Sequence, residues 1–280
     1  MNKLNRSLST FDSLSVISKV NKNEVVVLDD YFLTVFNKAM EVSAITGGAF
    51  DITVAPMVNI WGFGFKHKEQ VNDVLIDSLK NLVGYQKIRI VDGAIVKDHP
   101  NTMLDCSAIA KGFAVDAVGA YLAEQGCENY MVEIGGEVVA RGVNAKGNYW
   151  SIGVSRPVDD PSPANQELKA IVSLKNKALA TSGNYRNFYV QDGKKYAHTI
   201  DPKTGYPVQH SLLSSTVLAD NCMTADAFAT SFMVLGLDEA EKIVNQIDGL
   251  EAYFIYSGEN GEMETWFSEG FREMLDQELE

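Results

Sequence analysis

The stretch "KIRIVDGAIVKD", residues 87 to 98, alternates apolar and polar side chains on both sides of Asp92-Gly93. Alternation with period two is the mark of a half-buried strand, and an Asp-Gly pair readily takes the positive φ angles of a two-residue hairpin turn. The same signature recurs in "NFYVQDGKKYAHTI" (187 to 200), turning at Asp192-Gly193, and in "EAYFIYSGENGEMETWFS" (251 to 268), turning at Asn260-Gly261. Further strands are expected at "EVVVL" (24 to 28), "YMVEIGG" (130 to 136), "EVVARG" (137 to 142), "YWSIGVS" (149 to 155), "LKAIVSL" (168 to 174) and "ALATSG" (178 to 183). Strands that outnumber helices and join as hairpins predict an α+β fold with largely antiparallel sheets and packed helices, not a doubly wound parallel sheet.

Four helices fit between the strands. Asp29 or Asp30 can cap "YFLTVFNKAMEVSAIT", which Gly47 and Gly48 would end. "VNDVLIDSLKNLVG" closes at Gly84. A third helix from Ser107 carries Ile109, Phe113, Ala117 and Tyr121 at four-residue steps, a stripe expected to face a core. The fourth runs from about Met223 to Leu235. The prolines of "VDDPSPANQ" (158 to 166) mark a surface loop. No internal repeat or low-complexity tract interrupts the chain.

At 280 residues and 46% hydrophobic content, the chain can fill one large core or two. Its net charge of -13, without any run of Lys or Arg, argues against nucleic acid and anionic membranes as partners. A phosphorylated ligand would need its charge met locally, by a cation, helix N-termini or a few placed lysines. Cys106, Cys127 and Cys222 lack the number and spacing of a disulfide framework or a zinc site, so each is read as a small buried hydrophobe. No apolar span reaches membrane length.

Within "MTADAFAT" (223 to 230), Asp226 and Thr230 stand four residues apart, so on a helix both oxygens can reach one point. Two readings are open. Asp226 caps the helix while Thr230 bonds back to a carbonyl, or the pair holds a hard cation such as magnesium, which takes few protein oxygens. In "LDCSAIAKG" (104 to 112), Asp105 and Ser107 precede small residues and Lys111. Such a helix start lets a phosphate approach backbone amides beside a point charge, or is an ordinary cap with a wet-face lysine. Gly pairs beside carboxylates and aromatics, in "TGGAFD", "WGFG", "EIGGE", "TSGNY" and "DPKTGYP", suit backbone packed against a large planar or phosphorylated ligand; most single glycines mark turns. No Rossmann, P-loop or Gly-x-Ser-x-Gly pattern accompanies them. His198, in "YAHTIDP", could take a proton from a hydroxyl or could be structural.

Seven segments in order, "LSTFDSLSVISKVN", "TGGAFDITVAPMVNIWGFG", "LDCSAIAKGFAVD", "EIGGEVVARG", "ATSGNYRNF", "HTIDPKTGYPV" and "CMTADAFATSFMVLG", make the chain resemble the FAD:protein FMN transferase (ApbE) family from residue 8 to 236. The resemblance implies a single domain over residues 1 to 280, built of two closely associated subdomains with the flavin site between them. It also implies magnesium-dependent transfer of FMN from FAD to a Ser or Thr hydroxyl of a redox protein, releasing AMP. By the same resemblance the metal ligands would be Asp226, Thr230 and the carbonyl of Ala108. FAD contacts would fall on Phe11, Ala49, Phe50, Asp51, Asp105, Lys111 and Ile200, and the catalytic groups would be His198, Asp226 and Lys111. Location in the bacterial periplasm or on the outer face of the cell envelope, lipid-anchored in the full-length form, is implied too.

Family members usually carry an export signal or lipid-attachment cysteine and a first strand ahead of the "STF" segment. Here Met1 stands a few residues upstream of it, so both are expected to be absent from this chain. Phe11 stands where a tyrosine is common, which keeps the ring and removes a hydroxyl hydrogen bond. Hydrolysis of FAD to FMN and AMP, and flavin binding without turnover, are the competing readings of the same residues.

Overall fold

The computed structural model describes residues 1–64, 71–157, 167–184, 188–191 and 194–279, with backbone alone for 188–191 and 194–197. The chain divides into two compact units, Met1–Ala110 with Tyr196–Val208, and Lys111–Lys195 with Gln209–Glu280. The proline-rich loop at 158–166 and the turn at Asp192-Gly193 lie outside the described residues.

The first unit is mostly helical: α1 (Asn2–Leu8), α2 (Val16–Asn21), α3 (Asp30–Ile45), α4 (Ala55–Ile60) and α5 (Asp73–Lys80), followed by the hairpin β1 (Ile88–Val91) and β2 (Ala94–Lys97). Asp29 caps α3, its Oδ1 accepting the Phe32 N–H at 2.8 Å and the Ser7 hydroxyl at 2.7 Å. Phe32, Val35, Phe36, Ala39 and Val42 form the buried stripe of that helix, spaced three and four apart as an amphipathic helix requires. Gly47 and Gly48 follow it with φ of 59° and 89°. The β1–β2 turn takes φ of 49° at Asp92 and 75° at Gly93, as a two-residue hairpin demands.

"EVVVL" departs from expectation. Residues 24–28 form no helix or strand and belong to no ladder, and Val25 and Val27 are exposed. Alternation alone does not make a strand, because the backbone also needs a partner for its N–H and C=O groups. The helix expected to close at Gly84 ends at Lys80, and α4, headed by Pro56, was not legible among the glycine loops around it.

In the second unit α6 (Ala110–Glu124) leads into β3 (Tyr130–Ile134), β4 (Glu137–Arg141), β5 (Trp150–Ser155), β6 (Leu168–Leu174) and β7 (Ala178–Gly183). There follow the hairpin strands β8 (Phe188–Gln191) and β9 (Lys194–Ala197), then β10 (Leu212–Ala219), α7 (Cys222–Leu235) and α8 (Leu237–Val244). The unit closes with β11 (Glu251–Ser257), β12 (Met263–Phe267), α9 (Glu269–Arg272) and β13 (Leu275–Glu278). Six strands form one antiparallel sheet in the order β12-β11-β10-β7-β4-β3, and three form another, β13-β6-β5. One face of the large sheet contributes Val138, Leu179, Leu218, Tyr253 and Ile255 to a core shared with Val154, Ala170, Val172 and Leu174 of the small sheet. On the opposite face Val132, Val139 and Ala178 meet Val115 of α6 and Cys222 of α7. The fold class is therefore α+β, with antiparallel sheets and packed helices.

Two further expectations are corrected here. The stripe Ile109, Phe113, Ala117, Tyr121 does not face the core as a whole, for Tyr121 is 59% exposed and the buried positions of α6 are Gly112, Ala114, Val115 and Gly119. A face of small residues lets the helix approach its neighbours more closely than an aromatic stripe could, so contact distance overrode hydrophobic periodicity. Cys127 is exposed, in the turn after α6, whereas Cys106 and Cys222 are buried. Among the described residues no helix is long and apolar enough to cross a membrane.

Because Asp29 both caps α3 and anchors α1, Asp29→Ala is expected to destabilise the protein by about 1–2 kcal/mol. Urea denaturation would measure this, and an unchanged midpoint would remove Asp29 from that double role.

Candidate active site

Helices α6 and α7 hold each other through reciprocal hydrogen bonds. The Gly112 N–H of α6 donates to Asp226 Oδ2 of α7 at 2.9 Å. In return the Cys222 and Met223 N–H groups at the start of α7 donate to Asp116 Oδ1 and Oδ2, each at 2.8 Å. Asn221 caps the same helix by accepting the Thr224 N–H at 2.9 Å, so three amides that a helix start leaves without intrahelical partners are satisfied together. The role of cap considered for Asp226 is thus filled by Asn221, which leaves Asp226 within the helix body. Gly112 makes this approach possible, since a Cβ there would lie 2.3 Å from the Cys222 carbonyl oxygen and 2.8 Å from Asp226 Cβ.

Asp226 is 2% exposed. Burial pushes its carboxyl up to about 7 from an ordinary 3.8; the Lys111 ammonium and the Gly112 N–H favour the anion, while Glu137 and Asp116 oppose it. Thr230, one turn further along α7, has its hydroxyl 3.2 Å from that of Ser182 in β7. Lys111, 49% exposed at the side chain, pairs through Nζ with Glu137 Oε1. Glu137 is buried, and its Oε2 has no hydrogen-bond partner in another residue among the described residues. Burial raises the Glu137 carboxyl, and Lys111 opposes that rise.

In the first unit Asp51 brackets the loop after α3. Its Oδ1 accepts the Thr53 N–H at 2.8 Å and the Thr53 hydroxyl at 2.6 Å, and its Oδ2 accepts the Tyr85 N–H at 2.7 Å. Burial raises the Asp51 carboxyl against these bonds. Ala49 and Phe50 are buried beside it, whereas Phe11 is 87% exposed. Asp105 accepts the Ser107 N–H at 2.8 Å, forming a turn that leads through Ala108 into α6. Ile200 is buried and bridges Pro207. His198 meets Phe63 edge-on, with ring centroids 6.4 Å apart.

Lys111, Asp226 and Thr230 accordingly belong to the second unit. Phe11, Ala49, Phe50, Asp51, Asp105, Ala108, His198 and Ile200 belong to the first. Asp116, Glu137 and Ser182 were not singled out from sequence, although all three lie in the quoted motifs. The four-residue step from Gly112 to Asp116 was the available sign that both share one helix face.

Among the described residues no group of three or more His, Cys, Asp or Glu side chains could hold a metal. A cation at Asp226 would draw on one carboxylate, one hydroxyl and neutral oxygens. That sparse donor set fits magnesium better than calcium or zinc. A buried carboxylate whose anionic form is disfavoured also gains from a cation, which restores its charge balance.

Gly112→Ala should gain up to about 1 kcal/mol of helix propensity but lose about 1–3 kcal/mol through overpacking, for a net loss. A higher melting temperature in this variant would count against the close contact. The second expectation concerns pH. The folded-state pKa of Asp226 lies above its ordinary value, so the folded chain retains a proton that the unfolded chain has released, and stability from this group declines as pH rises from about 4 to about 7. Asp226→Asn should therefore melt close to the unsubstituted protein at pH 4 and above it at pH 8, both without divalent cation. Added magnesium should raise the melting temperature of the unsubstituted protein at pH 8 and leave the Asn variant unmoved. A lower melting temperature for the Asn variant at pH 8 would contradict the sign.

The ApbE family model matches residues 1–254. A FAD:protein FMN transferase of Vibrio cholerae is 36% identical over 280 residues, covering 98% of this chain and 82% of that protein. One of Haemophilus influenzae is 38% identical over 268 residues, covering 92% and 76%. The solved structure of the flavin transferase ApbE from Vibrio cholerae superposes with a TM-score of 0.87 at 35% identity, covering 98% of this chain and 87% of that one. The apo form of the Pseudomonas stutzeri flavinyl transferase ApbE gives 0.86 at 30% identity, covering 99% and 86%. With a family match across nine-tenths of its length and relatives this similar end to end, the chain belongs to the ApbE family.

Proposed function

We propose that this chain transfers FMN from FAD to a Ser or Thr hydroxyl of a target protein, forming a phosphoester and releasing AMP, with magnesium bound at Asp226. FMN transfer from FAD to a protein is the activity named for its relatives. The single observation that carries the finer reading is Asp226. It is a deeply buried carboxylate, disfavoured as an anion, held by Gly112 and aligned one helical turn from the Thr230 hydroxyl.

On this reading Asp226 and Thr230 hold the ion, with the Ala108 carbonyl as the third oxygen by resemblance. When bound, the ion supplies Lewis-acid charge to the pyrophosphate. Lys111 adds a point charge that an anionic phosphate needs in a protein of net charge -13. The acceptor hydroxyl oxygen bonds to the phosphorus of the FMN half while the bond from that phosphorus to the bridging oxygen breaks. AMP leaves with the electron pair, and His198 takes the hydroxyl proton.

In the first unit Phe11 offers an exposed ring, a flat apolar surface suited to flavin or adenine. Asp51 has both oxygens engaged by Thr53 and Tyr85, so its part is to set the backbone of the loop bearing Ala49 and Phe50. Asp105 shapes the approach to α6, and Ile200 contributes an apolar contact. The acceptor on this reading is a redox protein at the outer face of a bacterial envelope or in the periplasm, and the full-length form is lipid-anchored there.

Incubation with FAD, magnesium and a Thr-bearing acceptor peptide tests the proposal by mass measurement and AMP assay. Peptide carrying FMN, with one AMP per transfer, is the expected outcome. AMP with free FMN would show hydrolysis, and intact bound FAD would show a carrier; either result overturns the transferase reading. His198→Ala should slow transfer roughly 10²–10⁴-fold while changing FAD affinity little. Equal loss of both would assign His198 to binding.

A further inference from the structure

We propose that Glu137 is a positioning residue that aims the Lys111 ammonium at the FAD pyrophosphate, an inference that rests on the role given to Lys111 above. Glu137 is the first residue of β4 and follows the two-residue turn Gly135-Gly136, whose φ angles are 64° and 100°. Hairpin register pairs it with Ile134, so its backbone cannot wander. Its side chain is 3% exposed while that of Lys111 is 49% exposed. The carboxylate is the fixed partner, and the lysine is the part that reaches solvent. The turn passes close to both, for a Cβ added at Gly135 would lie 3.6 Å from Glu137 Oε2 and 3.7 Å from Lys111 Cδ.

The way the carboxylate is bonded separates this role from one in stability. Asp51 and Asp116, the structural carboxylates, use both oxygens to accept backbone N–H groups. Glu137 engages Lys111 through Oε1, and its buried Oε2 meets no backbone N–H of another residue and no other side chain among the described residues. A buried, half-satisfied carboxylate lowers stability relative to a neutral residue of similar shape, so its placement against Lys111 calls for another explanation. A lysine has three N–H donors on a flexible four-carbon stem. Glu137 engages one of them, limiting the stem to few rotamers and leaving the others to meet a phosphate. Ordering the lysine before the ligand arrives removes that entropy loss from the binding step.

The test uses the full chain with Glu137→Ala, Glu137→Gln, Lys111→Ala and the Ala/Ala double variant. FAD affinity is read by flavin fluorescence without divalent cation, AMP release with magnesium, and melting temperature throughout. Glu137→Ala should lose on the order of tenfold in both affinity and rate, with a melting temperature unchanged or raised. Glu137→Gln, whose amide oxygen still accepts from Lys111, should recover part of the loss and keeps the test alive if the Ala variant does not fold. Lys111→Ala should lose at least as much, and the double variant no more than Lys111→Ala alone. Losses that multiply in the double variant would sink the positioning role and leave Lys111 in place. So would a Glu137→Ala protein that melts lower yet binds and turns over normally. A Lys111→Ala protein with full affinity and rate would instead remove Lys111 from the site, and Glu137's role with it.

Discussion

The contact between α6 and α7 at Gly112 is the constraint from which the second unit's chemistry follows. A backbone carbonyl stands 2.3 Å from where a Cβ would be, so only glycine permits the approach. That approach brings the Gly112 amide to Asp226 and the first amides of α7 to Asp116. Each helix thereby uses the other's carboxylate as a backbone acceptor. The arrangement needs no long side chains and loses little conformational entropy.

Three acids in the second unit, Glu137 and Asp226 buried and Asp116 half-buried, differ in how their charge is met. Asp116 is met by two helix-start amides, where the partial positive charge of α7 is concentrated. Glu137 is met by one lysine, with its second oxygen bonded to no other residue among those described. Asp226 is met by one amide and a nearby lysine, too little to keep it an ordinary acid. The unit therefore holds one carboxylate as a structural brace, one as a lysine partner and one with capacity for a further positive charge. That last acid stands one helical turn from a hydroxyl on a helix buried nearly all round, and the proposed magnesium would find there few donors held by a rigid backbone.

Much of the architecture could be read from local patterns. The Asp92-Gly93 turn announced its hairpin because positive φ is a local steric matter. The α3 stripe announced its buried face because its side chains are large and regularly spaced. Patterns failed where a neighbour decided the outcome. Val25 and Val27 alternate like a strand yet find no partner, and Tyr121 continues a helical stripe yet points to solvent. Small residues gave the true face of α6, and no hydrophobic scale ranks glycine highly enough to reveal it.

The amino-acid sequence by itself determined the antiparallel α+β character, the capped helices and the family, because turn chemistry, side-chain spacing and ordered motifs are properties of short stretches. It also paired Asp226 with Thr230, since four residues on a helix always share a face. Only the tertiary structure decided that Asp226 would be buried and reluctant to ionise, that Glu137 would stand against Lys111, and that Asp116 would brace α7. Those outcomes depend on desolvation and on distances between residues far apart in the chain, 26 for Lys111 and Glu137 and 114 for Gly112 and Asp226, which no local pattern encodes.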